Sequence, residues 1–478
     1  MTTRIIKAVA WKELLETWRD GRVRCGFGIA MALLLFSLLL GWQNWRETAA
    51  QRAAASEHDR QVWLNQGPEN PHLAAHFGRY LFKPVSPLAL IEPGLDDFLG
   101  NTIRIEAHRQ TPARYRPSDD ATVISRFGQF TVPSVMQLFV PLLLILLLFP
   151  AFAGEREGGT LRQVLSLGVV TRGSVAWGKI AAGAVVLPVL IVPAAAAGVL
   201  VLFVNSSPSF ADSLLRLLLL AAGYLIYFSV IAFLCLAVSA AARSARVALA
   251  GLLTFWTVSL LIVPRLASDI ADRCYPVPSM QAFLANARRD MSAGLNGHDP
   301  ADRRFDALRE RLLAQYKVAK IEDLPVNFDA IALQAAEEYG NQILDKHYGN
   351  LWRQYERQAS VQQLFSFLSP LIALRRYSMG LAGTDLAAHR IFAERAEVFR
   401  RELVSFLNGY MATHSRTDSW NWKASETLWT AAPVFHFEPA PLARRLHALA
   451  IEGLVLLAWL GGTVLFVLYT VNRMRPEA

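Results

Sequence analysis

The chain has 478 residues, of which 53% are hydrophobic and only 18% are charged. Soluble domains carry roughly 25% charged residues, so this composition excludes an ordinary soluble protein of several domains. The net charge of +9 does not indicate nucleic-acid binding, because the surplus Lys and Arg residues lie in short segments beside apolar runs.

Six apolar stretches are each long enough to cross the hydrocarbon core of a bilayer, which takes about 20 residues. They lie at 25–42, 132–153, 175–204, 213–240, 247–264 and 446–471. We therefore expect a polytopic α-helical membrane protein with six transmembrane helices.

Two long polar regions lie between these spans, 43–131 after the first and 265–443 after the fifth. Each region has as many acidic as basic residues, whereas the N-terminal segment, the 154–174 loop, the link at Arg243 and Arg246 and the 472–478 tail are basic. Because Lys and Arg mark the cytoplasmic side of a membrane, we expect both termini inside and both long regions outside.

The N-terminal segment, residues 1–24, has apolar residues at helical spacing with charged residues between them. This pattern predicts an amphipathic helix on the inner membrane surface. Residues 46–65 are rich in Ala, Arg and Glu, which are good helix formers and predict an outward extension of the first span. Prolines then break the rest of the first long region into turns and short pieces.

The second long region is expected to be mainly helical, with helices over 280–292, 301–318, 328–360 and 386–410. The segment 361–383 is too apolar for a free surface. It fits a helix packed on the outer membrane surface, a re-entrant element or a buried core helix, and the sequence does not decide among them. Pro188 and Pro193 predict a kink in the third span.

The 154–174 loop opens with GEREGGTLRQVLS, a compact charged stretch directly after an apolar span. Gly158 and Gly159 permit a sharp turn, and Thr160 is suited to cap a short helix. That helix carries the apolar side chains Leu161, Val164, Leu165 and Leu167 and a charged rim of Glu155, Arg156, Glu157 and Arg162. Such a helix on the membrane face predicts a docking surface for a cytosolic partner, and an ordinary charged loop is the alternative.

Gly173 to Lys179 has the G-x-x-x-x-G-K spacing of a phosphate-binding loop. Ile180 follows, where such a loop needs a Ser or Thr hydroxyl to hold magnesium, and the stretch opens a membrane span instead of following a buried strand. We therefore expect no ATP binding, no cofactor and no enzymatic activity from this chain alone.

His72 and His76 lie one helical turn apart, a spacing that suits zinc or copper. No Glu lies between them, and nothing in the sequence shows that His58 or His108 would join them. Surface histidines are the better interpretation, so no metal site is expected.

Two motifs resemble those of the membrane subunits of type-2 ABC transporters, the ABC-2 permeases. Residues Glu155, Glu157, Gly159, Thr160, Leu161 and Ser166 are similar to the E-x-G-T-L-type signature of that family. The N-terminal segment, with Lys12-Glu13 followed by Arg19-Asp20-Gly21-Arg22, is similar to the family's K-E…R-D-x-R start. The chain resembles a bacterial branch in which two large, mainly α-helical extracytoplasmic insertions replace short loops.

The resemblance implies that Glu155 to Arg162 form the coupling helix for an ATPase. It also implies a homodimer or heterodimer of permeases on a dimer of separate cytosolic ABC ATPases. ATP and magnesium then belong to the partner ATPase, and no nucleic-acid partner is implied.

The leading functional hypothesis is the permease subunit of an ATP-driven exporter in the bacterial inner membrane, with two large regions in the periplasm. The alternative is a transmission or scaffold subunit, in which ATPase cycles move the outer regions and regulate a periplasmic partner without cargo crossing. A membrane-anchored periplasmic enzyme would need a catalytic group of residues, which the sequence does not indicate. Nothing in the sequence identifies a cargo.

Overall fold

The computed structural model describes residues 2–116, 130–166, 168–204, 210–293 and 301–474. Within these ranges six helices are long and apolar enough to cross a membrane: Gly21–Leu64, Val132–Glu157, Arg172–Val204, Phe210–Ala241, Ala245–Cys274 and Ala450–Arg473. The chain is thus a helical membrane protein, as predicted, and each of these helices covers one of the six apolar stretches. Leu167 of the predicted loop helix and residues 475–478 of the predicted tail lie outside the described residues.

The first two helices, α1 (Thr2–Arg19) and α2 (Gly21–Leu64), meet at Asp20. The Asp20 carboxylate accepts a hydrogen bond from the backbone N–H of Arg22 at 2.8 Å and so caps α2. With 44 residues, α2 is about 66 Å long, more than twice the ~30 Å hydrocarbon core. The predicted extension of the first span through residues 46–65 is confirmed.

The first long region contains short elements and a small antiparallel sheet. In chain order they are α3 (Pro71–Phe77), β1 (Arg79–Phe82), α4 (Asp96–Leu99) and β2 (Thr102–Ile105). Asn70 caps α3, and Arg79 of β1 lies opposite Ile105 of β2. This register returns the end of β2 to the end of α3, and the backbone N–H of Ala107 donates to the carbonyl oxygen of Ala75 at 3.0 Å.

Three of the next four apolar helices are built from shorter helical pieces, the other is continuous, and one short helix lies in the loop between the first two. In chain order these are α5 (Val140–Leu148), α6 (Ala153–Glu157), α7 (Thr160–Ser166), α8 (Arg172–Val189), α9 (Val192–Val204), α10 (Phe210–Ala241), α11 (Ala245–Trp256) and α12 (Val263–Cys274). A short helical turn, Val132–Ser134, and a π-helical turn, Val135–Phe139, lead into α5, and a second π-helical turn, Thr257–Ile262, joins α11 to α12. Pro188 and Pro193 lack backbone donors, and the third span breaks between α8 and α9, as predicted.

The second long region is helical, and the last apolar helix follows it. In chain order the helices are α13 (Met280–Ala293), α14 (Ala301–Tyr316), α15 (Phe328–Phe365), α16 (Pro370–Ala382), α17 (Leu386–His414), α18 (Thr427–Ala431), α19 (Leu442–Ala448) and α20 (Ala450–Arg473). The four helices predicted for this region are all present, and α15 and α17 are a few residues longer than expected.

Helix α10 is the centre of the apolar bundle and packs against α5, α16 and α20. Its Tyr224, Tyr227 and Phe228 are buried in one large hydrophobic core. Helix α16, the ambiguous apolar segment, lies so close to α10 that a Cβ on Gly223 would be 2.8 Å from the ring of Tyr377. This packing agrees with a buried core helix and with a re-entrant element, and it disagrees with a helix that only lies on the outer membrane surface.

The two long regions pack on each other and share a second hydrophobic core. The rings of Trp63, at the end of α2, and Trp429 have centroids 5.4 Å apart, and the Trp63 indole donates to the Trp429 carbonyl oxygen at 3.1 Å. Helix α3 packs against α17 through the buried Ala74 and Ala75. We call residues 65–116 together with 275–438 the joint unit; it is continuous with the bundle through α2 and α16.

Candidate functional site

The end of the bundle away from the joint unit gathers four segments that are distant in the sequence. Helix α1 packs along the start of α8, and Arg172 Nη1 donates to the carbonyl oxygen of Asn472 at 3.1 Å. Glu157 accepts a hydrogen bond from the backbone N–H of Ala245, at the start of α11, at 3.2 Å. These segments carry the surplus positive charge, and the motif of the 154–174 loop lies among them.

Within this loop, α6 and α7 are joined by a glycine turn. Gly159 has a φ of +74°, which residues with a Cβ rarely adopt, so the predicted sharp turn is present. The Thr160 hydroxyl donates to the Glu155 carbonyl oxygen at 3.1 Å. Thr160 therefore links α7 to α6 through this hydrogen bond, whereas the sequence predicted that its side chain would cap α7.

Arg156 was predicted on the charged rim, and this placement is wrong because its side chain is buried. Its Nη1 donates to the carbonyl oxygen of Ala242 at 2.5 Å and its Nη2 to that of Ala240 at 2.7 Å. The last carbonyl groups of a helix have no partner within that helix. Arg156 supplies such partners at the end of α10 and so ties α6 to α10.

Glu155 also faces inward, where it belongs to a cluster of charged side chains that includes Glu16, whose carboxylate lies 3.1 Å from Lys12 Nζ. Its Oε1 accepts from Lys12 Nζ of α1 at 2.8 Å and from Lys179 Nζ of α8 at 3.0 Å. Lys179 Nζ also lies 2.7 Å from Glu13 Oε1 of α1. We call Lys12, Glu13, Glu155 and Lys179 the clamp. The predicted exposed position of Glu155 on the rim is wrong, because these two ammonium groups hold its carboxylate.

The ion pairs of the clamp stabilise the charged form of Lys12. Burial would lower the pKa of Lys12, but the hydrogen bond to Glu155 and the charges of Glu13 and Glu155 outweigh burial and raise that pKa above its ordinary value. Lys179 is nearly completely buried, with 4% of its side chain exposed. A buried charge that lost its partners would be strongly destabilising, so the clamp holds α1, α6 and α8 together as a unit.

The G-x-x-x-x-G-K stretch has a packing role in this arrangement. A Cβ on Gly178 would lie 2.4 Å from Cγ1 of Val9, so Gly178 lets α1 and α8 approach closely. Lys179 follows on the face of α8 that carries the clamp. A single Lys within an apolar span needs an acidic partner. The sequence could therefore have indicated that Lys179 pairs with an acidic residue such as Glu13 or Glu155.

Ser239 of α10 is a further residue that the sequence analysis missed. Its fully buried hydroxyl accepts from the backbone N–H groups of Phe152 and Ala153 at 3.0 and 3.1 Å and donates to the Phe149 carbonyl oxygen at 2.7 Å. These groups lie at the break between α5 and α6, where helical hydrogen bonds are interrupted. No periodic pattern identifies Ser239, because its partners are about 90 residues away in the sequence.

The remaining residues of the two motifs have different surroundings. Leu161 is buried, Glu157 and Thr160 are exposed, and α7 presents an exposed face that we call the α7 face, formed by Arg162, Gln163, Val164 and Ser166. Arg19 is exposed at the end of α1, and Asp20 caps α2. The structure thus brings Lys12 and Glu13 to the loop, whereas Arg19 and Asp20 serve the junction of α1 and α2.

The structure also gathers three histidines that the sequence did not connect. His72 is buried, so its interpretation as a surface residue is wrong, whereas His76 and His108 are exposed. One nitrogen from each imidazole lies within 4.8 Å of the others. His58 is exposed and lies outside this group. The missing information was the pairing of β1 with β2, which carries His108 back to α3.

Comparison with known families gives one match: residues 280–438 fit the family described as "Domain of unknown function (DUF3526)". This segment covers α13 to α18, about a third of the chain, and its description assigns no activity. No curated protein matches the chain. The chain is therefore a multi-pass helical membrane protein in which the segment between the fifth and sixth apolar helices fits this family model.

Proposed function

We propose that this chain is the permease subunit of an ATP-driven ABC transporter, an exporter of the ABC-2 type. In this proposal a separate cytosolic ABC ATPase dimer docks on the 154–174 loop and binds ATP and magnesium. A second copy of the chain, or a homologous permease, completes the transporter in the bacterial inner membrane.

The observation that carries this proposal is the attachment of the 154–174 loop to four helices. The clamp joins α6 to α1 and α8, Arg156 joins it to α10, and Glu157 joins it to α11. A displacement of α6 and α7 is therefore passed to four helices at once. A loop that only connected two spans would need none of these contacts.

The same contacts change the expected interface with the ATPase. Glu155 and Arg156 make their contacts within the chain, so they stabilise the loop. The contacts with the ATPase must then come from other residues. The α7 face remains, with Arg162 as its charged residue and Val164, 37% exposed, as its apolar one. We propose that this face meets the ATPase and that the clamp transmits its movement.

The charge distribution supports an orientation with this end of the bundle in the cytoplasm. Lys and Arg are in excess in the segments gathered here, and the joint unit at the other end is built from the two electrically balanced regions. We therefore propose that both termini are cytoplasmic and that the joint unit is periplasmic.

A second candidate function is mechanical transmission to a periplasmic partner without transport. The observation that favours it is α16, which belongs to the second long region but is buried in the bundle beside α10 and α20. A shift of these two helices would move α16 and with it the joint unit.

Purification from membranes of the native host, in mild detergent, tests the permease proposal. Wild-type protein should retain an ATPase with a phosphate-binding loop in a ratio near one to one. The variant Arg162→Glu/Val164→Asp places new carboxylates on the α7 face and should lose the ATPase while remaining inserted. The matched control, Arg395→Glu/Val398→Asp, changes two exposed residues on α17 in the joint unit and should retain it.

Absence of any such ATPase from the wild-type preparation would contradict the proposal, and equal retention by both variants would exclude the α7 face. Inverted vesicles then distinguish transport from transmission. An exporter predicts a solute that accumulates inside wild-type vesicles with ATP and not inside vesicles of the α7-face variant. Transmission predicts an active ATPase and no such solute.

A further inference from the structure

Three imidazoles from two separate segments converge at one point of the joint unit. His72 and His76 lie one turn apart on α3, and His108 lies three residues beyond the end of β2. The Nε2 atoms of His72 and His76 are 3.1 Å apart. Nitrogen ligands about 2.0–2.1 Å from a tetrahedral zinc ion lie about 3.3 Å from each other, so this pair already has the required separation. One ring nitrogen of each of the three histidines lies within 4.8 Å of the other two.

Two of the three imidazole rings have a hydrogen-bond acceptor next to their Nδ1 atom. Nδ1 of His108 lies 2.5 Å from Oε1 of Glu337, and Nδ1 of His72 lies 3.4 Å from Oδ1 of Asn408. An acceptor at Nδ1 places the ring proton there and leaves the lone pair on Nε2. Metal-binding histidines almost always have such a partner on their second nitrogen.

The acceptor Glu337 is itself fixed by buried charges. Arg400 Nη1 donates to Glu337 Oε2 at 3.0 Å, and both side chains are almost fully buried. Glu337 therefore contacts His108 through one carboxylate oxygen and Arg400 through the other, and these two contacts fix the acceptor that orients the His108 ring.

The backbone at His108 is in a conformation that residues with a Cβ adopt rarely. Its φ is +63°, and its N–H donates to the same Glu337 oxygen at 2.6 Å. Strained backbone of this kind persists where the surroundings enforce it, and it is concentrated at binding sites. The His108 ring lies beside α3, with its centroid 5.4 Å from that of His72 and 5.0 Å from that of His76.

We propose that His72, His76 and His108 bind one divalent transition-metal ion, Zn²⁺ or Cu²⁺. Three imidazoles suit these ions, and the shortage of oxygen ligands disfavours Mg²⁺ and Ca²⁺. The bound ion would connect α3 and the segment after β2, which Asn408 and Glu337 already link to α17 and α15. The site is independent of the proposed coupling to an ATPase, and it replaces the expectation that these histidines are ordinary surface residues.

The test uses the full-length protein, purified in detergent with a tag that contains no histidine and freed of metal with a chelator. Zn²⁺ and Cu²⁺ are titrated separately, and bound metal is measured by equilibrium dialysis and mass spectrometry. We expect one equivalent of at least one of the two ions per chain, and Co²⁺ in the same site should give the visible spectrum of tetrahedral nitrogen coordination. Binding of neither ion at one equivalent by the wild-type protein would overturn the proposal without any variant.

Variants then assign the ion to the three histidines. His76→Gln/His108→Gln changes only exposed rings and should lose stoichiometric binding, whereas His58→Gln, an exposed histidine of α2 outside the group, should keep it. Glu337→Gln should retain the stoichiometry with an affinity about 10- to 100-fold lower, because it removes the charged acceptor behind His108. Equal binding by the double variant and the wild type would overturn the assignment. Tryptophan fluorescence of each variant shows whether the joint unit remains folded.

Discussion

Arg156 is charged and lies in a polar motif, and its side chain is nevertheless buried. Because it donates hydrogen bonds to two carbonyl oxygens, its removal should have a measurable effect on hydrogen exchange. Arg156→Ala removes two charge-assisted hydrogen bonds, each worth roughly 1.5–3 kcal/mol, and frees α6 from the end of α10. We expect backbone amides of 153–166 to exchange hydrogen on the order of 10-fold faster or more. Arg162→Ala, at an exposed position, is the control and should leave exchange unchanged; equal acceleration by both variants would contradict the contacts of Arg156.

The chemistry of this motif was more predictable than the direction in which its side chains face. Gly159 could be predicted as a turn residue because conformational freedom is a local property. The inward positions of Glu155 and Arg156 depend on Lys12, Lys179 and the end of α10, which are far away in the sequence. Long-range ion pairs have no periodic pattern that would indicate them.

His389 of α17 should make the stability of the joint unit depend on pH. Its side chain is buried, and its Nδ1 has no hydrogen-bond partner among the residues that the structure describes. Burial, followed by the charges of Lys83 and Arg116, lowers its pKa from 6.5 to about 4. The unfolded chain therefore takes up a proton from about pH 6.5 downward, whereas the folded chain does so only near pH 4. This contribution to stability is complete above pH 6.5 and is lost as the pH falls to about 4.

The variant His389→Gln cannot take up this proton and should lose less stability on acidification. The full shift corresponds to about 3 kcal/mol, which is a difference of several degrees in unfolding temperature. Thermal unfolding followed by tryptophan fluorescence at pH 7.5 and pH 4.5 measures it for both proteins. The same loss between the two pH values in variant and wild type would contradict the buried, neutral state of His389.

Helix α1 and helix α8 approach closely at one glycine, and this contact can be tested at the scale of the element. Gly178→Val places a side chain where even a Cβ would lie 2.4 Å from Val9. We expect α1 to be displaced at a cost of about 1–3 kcal/mol, so a protease should cleave within residues 2–19 faster. Gly183→Val is the matched control, because Gly183 lies in the same helix with nothing within 4 Å of its Cβ position. Unchanged cleavage in Gly178→Val would show that α1 does not depend on this contact.

Most elements could be predicted from composition and periodicity, because long apolar or amphipathic stretches identify helices locally. The extension of α2 and the break between α8 and α9 followed from helix formers and prolines. Helix α16 was left open for a physical reason: its apolar residues fit a membrane surface and a protein interior equally well. Its burial is decided by α10 and α20, one of which lies more than 130 residues away in the sequence.

The three cysteines provide a test of the orientation of the whole molecule. Cys274, at the end of α12, and Cys25, near the start of α2, are exposed, whereas Cys235 is buried. With the joint unit outside, a membrane-impermeant thiol reagent should modify Cys274 in intact spheroplasts. Cys25 should react only after the membrane is opened, and Cys235 only after unfolding. Modification of Cys25 in intact spheroplasts, with Cys274 protected, would reverse the proposed orientation.

At the scale of the whole molecule, the sequence indicated two separate regions between the spans, and the structure joins them. The contact of Trp63 with Trp429 and the packing of α3 on α17 create this unit. Neither contact has a local signal, since both connect the two regions across four spans. The grouping of His72, His76 and His108 could not be predicted either, because it also depends on contacts without a local signal in the sequence.

If the α7 face receives an ATPase, a photo-crosslinking amino acid at Val164 should capture that ATPase in the native host. Val164 is exposed on α7, and Val398, exposed on α17 of the joint unit, is the matched control position. We expect an adduct at Val164 that mass spectrometry identifies as an ATPase with a phosphate-binding loop, and no such adduct at Val398. No ATPase adduct at Val164, or an equal yield at Val398, would contradict it.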